Sequence, residues 1–335
     1  MATAEIKAVG DIFLDREHPE NAFRLVQREL SEGDLCIGNY EASFSNSGEQ
    51  AKFRPWSNFL FSPPEMVTGL TAAGFDVVSL ANNQSMNYGP EGLLDTMECL
   101  AHHSIDVVGA GVDKAAASRA ASKSIHGIDI GILGFESTWW DWPATKAKPD
   151  RAGLNQVGRS PYFGAPFLNK LDLERMETEI EAAASAHDVL LTMFHFGIAG
   201  EHQHTVPQKT LAHRAIKNGA DAVIGAHSHT LQAVEVYQSA PIFYSLGNFA
   251  FDRPDTWTLD LMPSESGVLS LTIDSDGVTD AVIQPAVYDH GTRDRPKLLE
   301  HGSEEYDKIA AHLQRVSERT GTKLTQTPNG LHAPL

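Results

Sequence analysis

Two cysteines, Cys36 and Cys99, are all that a chain of 335 residues carries. A disulfide framework is thereby excluded, and neither thiol has a second cysteine at metal-ligand spacing. Both read as small buried hydrophobes. Long apolar runs are missing as well. No stretch reaches the roughly 18 residues that a membrane-crossing helix needs, and the first strand pattern begins near Glu5, with no room ahead of it for a charged and then apolar leader. A soluble cytoplasmic protein with no membrane partner is the expectation. Positive charge is scarce too: Lys and Arg number 26 against 44 Asp and Glu, a formal net charge of −18. That balance argues against a nucleic-acid backbone as partner, which needs a basic face. It says little about the substrate, because acidic surfaces mostly serve solubility.

What is present is ample material for a core, with 41% apolar residues. The order along the chain is strand, loop, helix, with helices expected over 21–32, 64–74, 90–103, 172–185 and 207–218, the last opening on Pro207 at a favoured first-turn position. Such alternation predicts a layered α/β domain. From Leu231 the pattern changes to adjoining strands, Gln232–Tyr237, Ile242–Ser245, Val268–Ile273 and Thr279–Val287, which should be antiparallel. Asp276-Gly277 is the clearest hairpin turn. Residues 1–302 read as one domain, followed over 303–335 by a helix to about Thr320 and a frayed tail. Residues 136–169 lack periodicity but hold Trp139, Trp140, Trp142, Tyr162 and Phe163, too aromatic for disorder. This segment reads as a lid or recognition loop, with the three tryptophans available to stack on substrate, or as a surface packed on the scaffold.

The strands end in a pattern of their own. Ile6–Gly10 stops at Asp11, Leu35–Gly38 leads to Asn39 and Glu41, and Val77–Ala81 to Asn82, Asn83 and Gln84. Val189–Phe194 stops at His195, and Ala222–Gly225 opens into His227 and His229. Open α/β sheets place ligand sites at the carboxyl ends of their strands. Imidazole combined with carboxylate and amide oxygen there points to one or two divalent ions of the Zn, Mn, Fe, Ni or Co type, in contrast to the oxygen-only sites of Ca or Mg.

Taken in order, Gly10-Asp11, Asn39-Tyr40-Glu41, Ala81-Asn82-Asn83, Asn87-Tyr88-Gly89, His195-Phe196-Gly197, Glu201, Gly219-Ala220-Asp221, Gly225-Ala226-His227-Ser228-His229 and Tyr244-Ser245-Leu246-Gly247-Asn248-Phe249 resemble the capsule and poly-gamma-glutamate synthesis (CapA-like) family. That family is a branch of the calcineurin-like metallophosphatases, and the resemblance covers residues 6–252. It implies a four-layer α/β/β/α sandwich of two mixed sheets with a metal centre on the loops at one end. It also implies that Asp11, Glu41, Asn83, His195, His227 and His229 are metal ligands, with Glu41 in the place of a bridging aspartate and His229 serving a second ion. Asp11, Asn83, His195 and His229 then double as catalytic residues around a shared hydroxide, with Gln84 the fifth member of the catalytic set.

Two positions depart from the metallophosphatase pattern. Ile12 and Phe13 follow Asp11 where Asp-x-His is usual, so one ion loses an imidazole. Gln84 stands where a histidine would protonate a leaving group; glutamine donates a hydrogen bond but cannot transfer a proton. Hydrolysis of an unactivated phosphate monoester should therefore be poor. Glu201, His202 and Asn248 are candidate substrate contacts, Arg16 and Arg54 candidate anion anchors. His102, His103, His126, His187 and His213 read as surface or packing residues. Asn83 also suits a helix cap or turn, and Glu41 an ordinary surface carboxylate. The expectation is a metal-dependent hydrolase of an amide or ester bond in a peptide-like or polyglutamate-like substrate. A metal-assisted peptide epimerase is the alternative, and a non-catalytic component of polymer biosynthesis a third. The substrate is a small molecule or peptide; the oligomeric state is not readable.

Overall fold

The computed structural model describes residues 2–44, 59–138, 145–159, 167–252, 263–289 and 295–335. Two sheets organise them. In the first, the strand Ala4–Phe13 lies between Leu35–Tyr40, to which it is parallel, and Glu265–Asp274, to which it is antiparallel. Parallel strands Val77–Ser79 and Asp106–Val108 continue one side, and the antiparallel strand Gly277–Asp289 continues the other. The second sheet runs Val234–Tyr237, Ala240–Phe243, Ala222–Ala226, Val189–Gly197, Ile128–Thr138, Ala121–Ile125, parallel at its centre and antiparallel at both edges.

Burial explains why the sequence reads as it does. Leu35–Tyr40, Val189–Gly197 and Ala222–Ala226 are buried at every position, because strands covered on both faces need apolar side chains throughout. The edge strand Ala121–Ile125 alternates half-buried and exposed residues instead. Successive side chains go to opposite faces, and three cores follow. Between the sheets, Ile6, Ala8 and Ile37 meet Ile130, Leu191, Met193 and Ile224. Outside the first sheet, Val9 and Val78 meet Leu70 of helix Val67–Ala73 and Leu93 and Leu100 of helix Gly89–His102. Outside the second, Leu190, Phe194 and Val223 meet Met176 and Ile180 of helix Lys170–Ala184 and Leu211 and Ala215 of helix Val206–Lys217. This is the expected four-layer α/β/β/α sandwich of two mixed sheets. Among the described residues no helix is long and apolar enough to cross a membrane.

Several elements differ from expectation. The helix expected over 21–32 is a 3-10 turn, Pro19–Asn21, and a short helix, Gln27–Ser31, whose N-cap Val26 offers no side-chain cap. Helix Lys170–Ala184 starts two residues early because the Asn169 side chain accepts from the backbone N–H groups of Leu171 and Asp172. A full capping box, Thr205 with Gln208, opens Val206–Lys217. The tail is ordered: Thr325–Thr327 and Gly330–His332 form a hairpin beside Gly277–Asp289, and Leu331 is buried. Three-residue strands are too short to show periodicity, so only the Pro328-Asn329-Gly330 turn announces them. Ahead of that hairpin, helix Glu304–Glu318 inserts Tyr306, Ile309 and Leu313 into the core between the sheets.

In the segment 136–169, Glu136–Thr138 complete a strand, and Gly153–Leu154 pair with Ala110–Gly111. Leu154, Asn155, Gln156 and Val157 are buried against the scaffold. Trp139, Trp140, Trp142, Tyr162 and Phe163 lie outside the described residues, as does Arg54.

Candidate metal centre

Every strand end singled out in the sequence opens toward one place. Asp11 lies near the end of Ala4–Phe13, Glu41 directly follows Leu35–Tyr40, and Asn83 sits in the loop after Val77–Ser79. His195 belongs to Val189–Gly197, and His227 and His229 to the loop after Ala222–Ala226. A further short strand, Asn248–Phe251, runs parallel to the end of Ala4–Phe13 and pairs Asn248 with Asp11. The Asp11 N–H donates to the Gly247 carbonyl at 3.0 Å. A Cβ on Gly10 would come within 1.9 Å of that oxygen, so only glycine permits the approach. His227 and His229 both take left-handed backbone conformations, φ +92° and +57°. Non-glycine residues in this region carry roughly 1–3 kcal/mol of strain each, of the sort that clusters at functional sites.

The side chains converge tightly. His195 Nε2 stands 2.8 Å from Asn83 Oδ1, 3.0 Å from His227 Nδ1 and 3.6 Å from Glu41 Oε1. On the other side, His229 Nδ1 lies 3.4 Å from Asp11 Oδ2 and 3.8 Å from Glu41 Oε2. Asp11, Glu41 and His195 form one set of ligand atoms within 4.8 Å of one another, and Glu41, His227 and His229 a second. Glu41 is common to both. All except the half-buried Asn83 are buried.

The donor set fits a divalent cation. Among the described residues neither oxygen of the fully buried Glu41 has a hydrogen-bond partner. Leaving a buried polar group unpaired costs about 1–3 kcal/mol, and more if it is charged. Around His195 Nε2 an amide oxygen, a second imidazole nitrogen and a carboxylate oxygen present more lone pairs than one ring proton can serve. Burial, reinforced by the neighbouring rings, holds His195 and His227 well below the ordinary imidazole range. Neutral imidazole is the ligating form. Burial, with Asp11 adding to it against the pull of His229, pushes the Glu41 carboxyl well above the usual range. For His229 burial acts downward, but Glu41 and Asp11 outweigh it and raise the ring to about 9. Glu41 and His229 thus set each other's charge, in the place where a cation's charge would serve. The arrangement is compatible with divalent metal binding.

Supporting groups surround this set, Asn248 among them rather than in the substrate contact expected from the sequence. Asn39 Nδ2 donates to Asp11 Oδ1 at 2.7 Å and lies 3.2 Å from His195 Nδ1. Asn82 shapes its own loop: Oδ1 accepts from the backbone of Gln84 and Ser85, and Nδ2 donates to the Tyr40 carbonyl. Asn248 Oδ1 faces His229 Nδ1 at 2.8 Å and fixes its ring. The positive charge of Arg159, whose Nη2 donates to the Ser137 carbonyl, is felt at His227. Asparagine just past a buried strand was the available signal for the first two; nothing in the local sequence marks Arg159.

Other candidates lie further out. The Gln84 side-chain carbonyl accepts from the Leu60 N–H and from Asn87, bracing the loop. Glu201 and His202 are exposed on the adjoining loop. The Glu201 carbonyl accepts from Thr230 Oγ1 and Gln232 Nε2. Arg16 is paired with Asp252. Phe13, at the position where metallophosphatases carry histidine, packs edge-on against Phe251, which also meets the His229 ring.

The chain is 30% identical over 263 residues to the PGA biosynthesis protein CapA of Bacillus subtilis, covering 75% of this chain and 64% of that one. It is 29% identical over 262 residues to the capsule biosynthesis protein CapA of Bacillus anthracis, covering 75% and 61%. The chain thus spans under two thirds of the length of either relative. Among solved structures, a hypothetical protein of Thermus thermophilus superposes with a TM-score of 0.52 at 15% identity, over 84% of this chain and 98% of that one, a likeness of fold. Residues 5–253 match the model of the bacterial capsule synthesis protein family PGA_cap, and this chain belongs to that family.

Proposed function

We propose that this chain is a metal-dependent enzyme that hydrolyses an amide or ester bond in a peptide-like, carboxylate-rich substrate of the polyglutamate type. The observation that carries the reading is Glu41, a fully buried carboxylate with neither oxygen hydrogen-bonded among the described residues, ringed by Asp11 and three histidines. Capsule and PGA biosynthesis in the names of the Bacillus relatives support a carboxylate-rich substrate. Asp11, Glu41, Asn83, His195, His227 and His229 would hold the ion. When bound, the ion supplies a Lewis acid for a carbonyl oxygen and acidifies water. Asn39 and Asn248 keep Asp11 and His229 oriented. His195 or His229, through a ring nitrogen that the ion does not take, would assist proton transfer. The tryptophans 139, 140 and 142, with Glu201 and His202, are assigned to holding the substrate, while the buried Asn248 is committed to His229. Elemental analysis of protein purified without chelator, together with turnover of peptide, amide, ester and phosphoester libraries with and without added metal, tests this. Protein that is metal-free and that metal does not stimulate on any library would sink it, and if it still bound polyglutamate it would be a non-catalytic component of polymer synthesis.

Gln84 favours a second reading. With its carbonyl tied to Leu60 and Asn87 and no proton to give, the loop lacks a leaving-group acid, which matters little to an enzyme that only moves a proton α to an amide carbonyl. Asp11 and a histidine would act as bases on opposite faces of that carbon in a peptide epimerase. Solvent deuterium entering recovered substrate without cleavage separates this isomerase from the hydrolase.

A further inference from the structure

A second concentration of charge, of the opposite sign to the chain, lies outside the convergent set. Helix Glu304–Glu318 and its C-cap Arg319 carry Lys308, His312, Arg315 and Arg319 at i, i+4, i+7 and i+11, one helical face. That face lines a cavity of about 360 Å³ with His202 and Glu265 among its other walls. Cations near a helix C-terminus complement the macrodipole, which accounts for Arg315 and Arg319. It does not account for Lys308, more than two turns earlier, or for His202 on a separate loop.

The cavity is organised to receive an anion. His312 is buried, with Nε2 3.0 Å from the Leu231 carbonyl and Nδ1 2.9 Å from Arg315 Nη2. The ring therefore donates to Leu231, accepts from Arg315 and orients the guanidinium. His202 packs edge-on against the same ring at 4.9 Å. Among the described residues no carboxylate forms an ion pair with Arg315 or Arg319, and Lys308 reaches Glu265 only at 3.9 Å. Three permanent cations thus share one carboxylate in a chain of net charge −18, whose general field repels polyanions and leaves their capture to local patches.

The walls of the cavity are tied to the loop that carries His227 and His229. Leu231, which anchors His312, lies two residues past His229. The loop bearing His202 is held to that same turn by the Gly200 N–H on the Ser228 carbonyl and by Thr230 and Gln232 on the Glu201 carbonyl. The Glu265 carbonyl stands 2.8 Å from where a Cβ of Gly247 would be, and Gly247 precedes Asn248.

We propose that this cavity is a carboxylate subsite, built from Lys308, Arg315 and Arg319, that holds an acidic side chain of the peptide substrate some residues away from the bond treated at Glu41 and His227; the assignment of that substrate rests on the function proposed above. Guanidinium forks match carboxylates bidentately, and Glu265 in the wall disfavours a dianionic phosphate more than a singly charged carboxylate.

The test is binding of a fluorescent pentaglutamate peptide to the full chain by anisotropy, with pentaglutamine and inorganic phosphate as competitors. The double variant Arg315→Gln/Arg319→Gln should bind about tenfold more weakly, the size expected for exposed charge-assisted contacts. Its Tm and metal content should be unchanged, since both side chains are exposed. Binding should fall as salt rises and should survive His227→Ala, so a failure of the metal reading leaves it standing. Equal affinity in the double variant, absence of binding to the native chain, or loss of binding in His227→Ala would each overturn the subsite. Competition by pentaglutamine or phosphate as effective as by unlabelled pentaglutamate would overturn its assignment to carboxylates.

Discussion

Replacing Glu41 by glutamine separates what the site needs without an ion from what it needs with one. In metal-stripped protein Glu41 is a buried carboxyl with no hydrogen-bond partner among the described residues, pushed well above its ordinary value of 4.5 by burial and then by Asp11. The folded state therefore keeps a proton that the unfolded chain releases, and stability falls as pH rises from about 4.5 toward the folded value. Glutamine is nearly isosteric with the protonated acid and does not titrate. Metal-stripped Glu41→Gln should accordingly match the native protein near pH 5 and exceed it at pH 7, by about 1–3 kcal/mol for a poorly paired buried group. For 335 residues the unfolding entropy is about 0.7 kcal/mol/K, so this corresponds to roughly 1.5–4 °C in Tm. With an ion the order reverses. A metal at a hundred times its Kd stabilises by about 2.7 kcal/mol, or about 4 °C, and the variant, lacking the shared carboxylate, should gain less than about 1 °C. Scanning calorimetry at pH 5 and 7, with chelator and then with Zn or Mn, reads both halves. A stripped variant that melts several degrees below native at pH 7, or one that gains the full metal shift, would refute the assignment of Glu41.

Further expectations concern neighbouring groups and the frame. His227→Ala should lose its metal on dialysis, measured by elemental analysis; retention of a full equivalent would remove His227 from the ligand set. Asn248→Ala, which frees the His229 ring, should weaken metal affinity about 10–100-fold by competition with a chromophoric chelator, the range for groups that orient a ligand; unchanged affinity would reduce Asn248 to a turn residue. Gly10→Ala places a Cβ 1.9 Å from the Gly247 carbonyl and should cost about 3 kcal/mol or more in denaturant unfolding, with loss of metal; a native midpoint would mean that the two strands need not approach so closely. Leu331→Ala should cost about 2–5 kcal/mol if the C-terminal hairpin belongs to the core, and almost nothing if it does not.

Much of the fold was legible because strands covered on both faces must be apolar at every position, so Leu35–Tyr40, Val189–Gly197 and Ala222–Ala226 stand out as runs ending in polar residues. Helices with strong caps were equally readable. The helix expected over 21–32 was not formed as one piece, since Phe23 and Val26 show helix-like spacing while their backbone stays in turns. The strand Ile128–Thr138, central to the second sheet, ends in Glu136-Ser137-Thr138 and so resembled the start of a loop. Position alone brought out Asp11, Asn39, Glu41, Asn82, Asn83, Gln84, His195, His227 and His229, because the carboxyl end of a buried strand is where a polar side chain can face a cleft; the family resemblance chose Asp11, Glu41, Asn83, His195, His227 and His229 among them as ligands.

The chain by itself determined which residue types stand at each strand end, since burial writes apolar runs and their interruptions directly into local sequence. Only the tertiary structure decided that these ends meet, that Asn39 and Asn248 brace the set, and that a helix beginning at Glu304 turns Lys308, Arg315 and Arg319 toward the loop of His202. The physical reason is range. The His227 N–H that reaches Asp11 Oδ2 at 3.0 Å crosses 216 positions of sequence, and no local pattern records a partner so far away along the chain.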